Sequence, residues 1–143
     1  MNKTDILDAL ATFVNQRPGL NFADYGDAAL YRQDYTQNCA RPLQDFRAML
    51  SAVRWRDSLN TNALMLAIEQ TNRLSLLDNG EFEYTPGQMG ATEYRHAACI
   101  ALSRALWNYW RGDALDAGRK PREHITRNAR AEFGRGTADR YFD

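Results

Sequence analysis

Residues Thr92 to Arg111, TEYRHAACIALSRALWNYWR, constrain the fold more than any other stretch of the chain. Twelve of the residues from Tyr94 to Trp110 are apolar and none is a helix breaker. A helix that is apolar on nearly all its circumference sits inside a bundle, because each face needs a neighbour. At about 100° per residue, Tyr94, Ala98, Ala101, Ala105 and Tyr109 share one face, where three alanines admit a close helix; Ile100 and Trp107 fall opposite. A thin polar stripe of Arg104, Asn108 and Arg111 runs between those faces and must reach solvent or a partner. The expectation is an all-α single domain over residues 1–143, a bundle of five or six helices around this central one.

The flanking segments supply the other helices. Ile6, Leu7, Leu10, Phe13 and Val14 recur at helical spacing between Thr4 and Gln16, with Thr4 as N-cap and Asp5 and Asp8 in the first turn; Arg17-Pro18-Gly19 stops that helix. Gly26-Asp27 reads as a turn and cap for a second helix over 28–39, with Leu20 and Phe22 pinning the loop before it. Pro42 opens a third helix whose apolar stripe is Leu43, Phe46, Met49, Leu50 and Val53. A fourth is expected from Asn62 to Leu77, ended by Asp78-Asn79-Gly80, with the alternating Glu81-Phe82-Glu83-Tyr84 as a short extended segment. Pro86-Gly87 and Gly90 lead into the central helix, and Pro121 opens a last helix to Phe133, stopped by Gly134. Tyr141 and Phe142 give the segment after it something to dock with.

Charge narrows the function classes. Lys plus Arg equals Asp plus Glu at 18 each, so no global charge draws the chain to nucleic acid or to an anionic membrane. Sixteen of the basic residues are arginine, which fits a GC-rich coding genome or a use of planar bidentate donors. Two cysteines, Cys39 and Cys99, are too few for a disulfide framework, and no apolar run is long enough to span a bilayer. The N-terminal MNKTDILDAL is acidic and amphipathic, unlike a signal peptide, so a cytoplasmic location is expected.

No residue set reads as catalytic. His96 and Cys99 stand three apart on the central helix, but a metal site needs three or four ligands and the other histidine is His124. A catalytic thiolate would be opposed by the apolar helix around Cys99. FGRGTAD follows a helix, whereas a phosphate-binding glycine loop precedes one. Neither cofactor nor metal is expected. Trp107, Tyr109, Trp110 and Arg111 could stack bases and neutralise phosphates, although such residues more often form core.

Two sets of surface residues remain. Tyr25, Asp27, Tyr31, Arg32 and Asp34 crowd one loop and the helix start after it, and tyrosine and arginine are the side chains that anchor interfaces. They are the candidates for binding a protein partner. Arg47 and Arg54 on the third helix, with Arg122, Arg127 and Arg130 on the last, are the candidates for nucleic acid. RPGLNFADYGD running into YRQD, the later YTPGQ, ATEYRHAAC ahead of ALWNYWR, and FGRG with ADRYF resemble small proteins encoded by bacteriophages and integrative elements of GC-rich bacteria. That resemblance spans most of the chain, carries no functional residue with it, and implies an accessory protein that binds host machinery stoichiometrically, including inhibition of defence systems. The leading expectation is a non-catalytic interaction protein with a host protein or complex as partner; the alternative is a nucleic-acid-binding accessory or regulator.

Overall fold

The computed structural model describes residues 1–16, 41–85 and 93–143. Within them lie six helices and one two-stranded sheet: α1 (Lys3–Gln16), α2 (Arg41–Arg54), α3 (Thr61–Glu69), β1 (Leu74–Leu76), β2 (Phe82–Tyr84), α4 (Glu93–Asp116), α5 (Pro121–Phe133) and α6 (Arg135–Tyr141). The architecture is the expected all-α bundle with a small hairpin attached. The expected second helix, the loop before it and the 86–90 turn fall outside the described residues.

α4 is the centre, packing against α1, α2, α3 and α5. Its alanine face is fully inside: Ala98, Ala101 and Ala105 are buried with Leu102, Leu106 and Trp110. The small side chains let α2 and α5 approach, and Phe46, Met49, Val53, Ile125 and Ala129 fill the space from those helices. α1 closes the core with Ile6, Leu7, Leu10, Phe13 and Val14, the five positions its periodicity marks. Phe13 meets Tyr94 edge-on at 5.8 Å and Phe82 at 6.2 Å, which joins α1 to α4 and to the hairpin.

Three sequence expectations are corrected. The N-cap of α1 is Asn2, not Thr4: Asn2 Oδ1 accepts from the Asp5 N–H at 2.9 Å, and Asp5 Oδ2 accepts from the Asn2 N–H at 3.2 Å, a reciprocal cap. The helix expected over 62–77 ends at Glu69. The Thr71 hydroxyl donates to the Ala67 carbonyl at 3.0 Å, and Leu74 then pairs with Tyr84 in an antiparallel ladder that buries Leu74 and Phe82. Asp78-Asn79-Gly80 is therefore a hairpin turn, with Gly80 at φ +82°. Finally, α4 runs five residues beyond Arg111. A single exposed glycine, Gly112, costs about 1 kcal/mol in a helix; the burial of Ala114 and a two-bond cap offset it. That cap joins the Arg119 N–H to the Ala114 carbonyl (2.8 Å) and the Gly118 N–H to the Leu115 carbonyl (3.2 Å), with Gly118 at φ +66°.

α5 has the expected bounds and stops at Gly134, whose φ of +82° turns the chain into α6. The expected docking of the segment after it is seen: Phe142 is buried against Trp110 and Phe133, with centroid separations of 5.6 and 5.7 Å.

Candidate interaction surfaces

α2 ends where its apolar stripe gives out. After Val53 the helical period places the next inward positions at Arg56 and Asp57, so Trp55 is turned away from the core. The chain leaves the helix through bonds from the Trp55 N–H to the Ala52 carbonyl (3.2 Å) and from the Arg56 N–H to the Val53 carbonyl (3.1 Å). Trp55 is 84% exposed. Its neighbours are tied down. Arg54 is ion-paired with Asp8 of α1 at 2.6 Å, and Arg56 is ion-paired with Glu132 of α5 while lying 5.7 and 5.6 Å from the ring centroids of Tyr109 and Trp110. Lys3 Nζ adds a bond to the Arg56 carbonyl at 2.7 Å. An exposed indole thus projects from backbone held by three helices.

The arginines expected to contact nucleic acid divide into two groups. Arg54 is neutralised by Asp8, and Arg130 by Asp139 through Nε and Nη2 at 3.3 and 3.1 Å. Arg47, two turns before Arg54 on the outer face of α2, is exposed without an ion pair among the described residues. Arg122 and Arg127 are exposed on α5 and line a shallow cleft of about 600 Å³ with Lys120, Glu123, Thr126 and Arg130. The protein-partner candidates Tyr25, Asp27, Tyr31, Arg32 and Asp34 lie outside the described residues.

A second concavity follows α4. Although this helix is buried on most of its circumference, His96 and Arg104 are exposed and Ile100 and Trp107 are half-buried along one side. This stripe floors two adjoining cavities, of about 230 and 360 Å³, that share His96, Ile100 and Arg104. The wall of the first is the turn from Gln70 to Arg73. The second is walled by Arg140 to Asp143 and continues past Ser103 to Trp107. Arg104 sits where the two meet, and its Nη1 donates to the Gln70 carbonyl. The Arg111 guanidinium lies 6.0 Å from the Trp107 ring centroid, and the His96 and Tyr141 rings are 5.6 Å apart.

Beneath this groove a polar network ties α2, α4 and α6. Asp45, buried, accepts from Arg140 Nε (3.2 Å), from Arg140 Nη2 (2.9 Å) and from the Thr137 hydroxyl (2.8 Å). The Cys99 thiol donates to the Pro42 carbonyl at 3.2 Å. Burial pushes that thiol up to about 12, a hydrogen bond from Tyr141 opposing the shift, so it is no thiolate nucleophile near neutral pH. Burial and the neighbouring thiol likewise raise the Tyr141 phenol. His96 faces the groove while Cys99 faces the core, and His124 is bonded to Asn128 on α5 at 3.2 Å, so these groups do not converge.

Two of these features have a local signal in the sequence. Trp55 stands off the apolar stripe of its helix between two arginines, and Asp45 stands on that stripe, one turn from Pro42 and from Met49. The groove carried no local signal, since its walls come from three separate stretches of chain. Comparison of the chain with protein-family models, with curated proteins and with solved structures finds no match.

Proposed function

We propose that the protein acts by stoichiometric binding to another protein, with Trp55 as an anchor of the interface. The observation that carries this reading is the 84% exposure of a tryptophan whose flanking residues are fixed by ion pairs. Tryptophan and arginine dominate interface energetics when they enter a pocket on the partner, and a side chain presented from ordered backbone loses little entropy on binding. Arg47, exposed on the outer face of α2, favours a partner whose apolar pocket is bordered by carboxylates. In the mobile-element context that the sequence resembles, this partner is a component of a host defence or regulatory complex, and the site of action is the cytoplasm. Tyr25, Asp27, Tyr31, Arg32 and Asp34 are proposed as a further part of the binding surface. Among the described residues no helix is long and apolar enough to cross a membrane. Nucleic acid is the weaker reading, because Arg54 and Arg130 already have carboxylate partners.

The test is capture of host proteins from nuclease-treated lysate by wild type and by Trp55→Ala. An exposed substitution should leave stability within about 0.5 kcal/mol, while a hot-spot tryptophan should remove at least about 2 kcal/mol of binding, or more than a tenfold loss of affinity for the captured partner. Capture equal to wild type rejects the role of Trp55. Tyr25→Ala and Arg32→Ala, measured alongside, should reduce capture without lowering the melting temperature.

A further inference from the structure

The hairpin leans on α1 through Phe82, and beside that contact the two elements leave a pocket of about 470 Å³, a size within the range of small-ligand sites. Ala9, Thr12, Phe13 and Gln16 line it from successive turns of one face of α1, and Gly80, Glu81 and Phe82 line it from the hairpin. Its floor is apolar: Phe13 and Phe82, with ring centroids 6.2 Å apart, are buried, and Ala9 is half-buried beside them. Thr12, Gln16 and Glu81 are exposed, so polar groups ring a mouth that opens to solvent. Glu81 gives that mouth its charge. It has no ion pair among the described residues, and its Oε2 accepts from Asn79 Nδ2 at 3.4 Å while its own N–H donates to Asn79 Oδ1 at 3.0 Å, contacts that hold it at the turn. Residues 74–84 carry Asp78, Glu81 and Glu83 with no lysine or arginine, and residues 9–16 carry no charge, so nothing in either wall offsets the negative field. One carboxylate is too few for a divalent metal ion, which takes several oxygen ligands, and an anion is repelled. A cation on an alkyl stem suits both halves, its methylenes on the floor and its head on the carboxylate.

We infer that this pocket receives an arginine side chain of a bound protein, with the stem over Ala9, Phe13 and Phe82 and the guanidinium on Glu81. The five donors of a guanidinium can be shared between the carboxylate, the Thr12 hydroxyl and the Gln16 amide oxygen, acceptors that an ammonium with three donors uses less fully. That the arginine is carried by a protein rests on the reading proposed above; the chemistry of the pocket does not. The pocket shares no residue with the Trp55 surface.

The backbone amide signals of the full chain are followed by NMR during titration with N-acetyl-arginine methylamide, with its neutral isostere N-acetyl-citrulline methylamide, and with free arginine. The arginine amide should bind saturably and move the signals of Thr12, Gly80, Glu81 and Phe82, and the citrulline compound should bind at least about tenfold more weakly. Glu81→Gln, an exposed change, should weaken the arginine amide by a similar factor, and Thr12→Lys, which brings an ammonium of the chain's own to Glu81, should block it. Equal binding of the two amides, wild-type affinity in Glu81→Gln, or no saturable shift at these residues overturns the inference. Tighter binding of free arginine than of the amide assigns the pocket to a small molecule and overturns the protein source. In the capture experiment Glu81→Gln should lower affinity for the captured protein about tenfold. Capture weakened by Trp55→Ala but not by Glu81→Gln overturns the inference and leaves the Trp55 reading standing, whereas capture that neither change weakens removes both.

Discussion

A carboxylate on the inward face of a helix is tolerated only with partners, and Asp45 has them in Arg140 and Thr137. Replacement by asparagine removes the charge and one acceptor oxygen, leaving the guanidinium partly satisfied by water because the Arg140 side chain is 35% exposed. Asp45→Asn should therefore cost about 1 to 3 kcal/mol in urea unfolding, and a change below about 0.5 kcal/mol would show that the network does not fasten α6. The neighbouring thiol gives a prediction in pH. An unfolded cysteine loses its proton near 9.0, whereas Cys99 in the folded protein holds it to about 12. Between those values the folded state binds more protons, so this contribution to stability is complete below about pH 9 and lost as pH approaches 12. The raised Tyr141 phenol acts in the same direction. Urea midpoints should fall from pH 9 to pH 11, inside that window, by a margin that shrinks in Cys99→Ala. In a Cys39→Ser background, alkylation of Cys99 should be slow and should track unfolding.

At the scale of elements, close helix contact rests on alanines. Ala101→Leu or Ala105→Leu should overpack the α4 seam and cost roughly 1 to 3 kcal/mol; unchanged thermal unfolding in both variants would mean the bundle can open there. Gly134→Ala asks an L side chain to adopt φ +82° between α5 and α6, with open space around the new Cβ, so any loss isolates backbone strain. With ψ at 163° this is a region that glycine almost alone adopts, so that loss should be about 1 to 3 kcal/mol. What was legible in the sequence follows the same lines. α1, α2 and α5 could be read because their burial is periodic: Ile6, Leu10 and Phe13, or Phe46, Met49 and Val53, recur at the helical interval, whereas α4 could be read because it is apolar on nearly all its circumference. The hairpin is hidden in the sequence because Leu74 and Leu77 also fit that interval, and Asp78-Asn79-Gly80 suits a helix stop as well as a turn. Pairing of Leu74 with Tyr84 decided between them, and pairing is a tertiary fact. The same holds for the α4 groove, which needs residues near 70, 100 and 140 brought together.

Over the whole molecule total charge is zero, and among the described residues Arg54, Arg56, Arg130 and Arg140 each have a carboxylate from another helix. Mobility-shift titration with duplex DNA near physiological salt should therefore show no salt-dependent complex, and Arg47→Ala with Arg127→Ala should change nothing; a tight shift flattened by those substitutions would restore the arginine faces as a nucleic-acid surface. The bond between Asp45 and Arg140 reaches across 95 residues of chain. At roughly 5 to 20 residues per second of translation, Arg140 is made on the order of 5 to 20 s after Asp45. For that interval the Asp45 carboxylate lacks the guanidinium that matches it, and Trp110, once made, lacks Phe142. Late-arriving partners of this kind delay completion of the core until the α6 segment has left the ribosome, which makes the incomplete chain, more than the finished protein, the form exposed to chaperones and proteases.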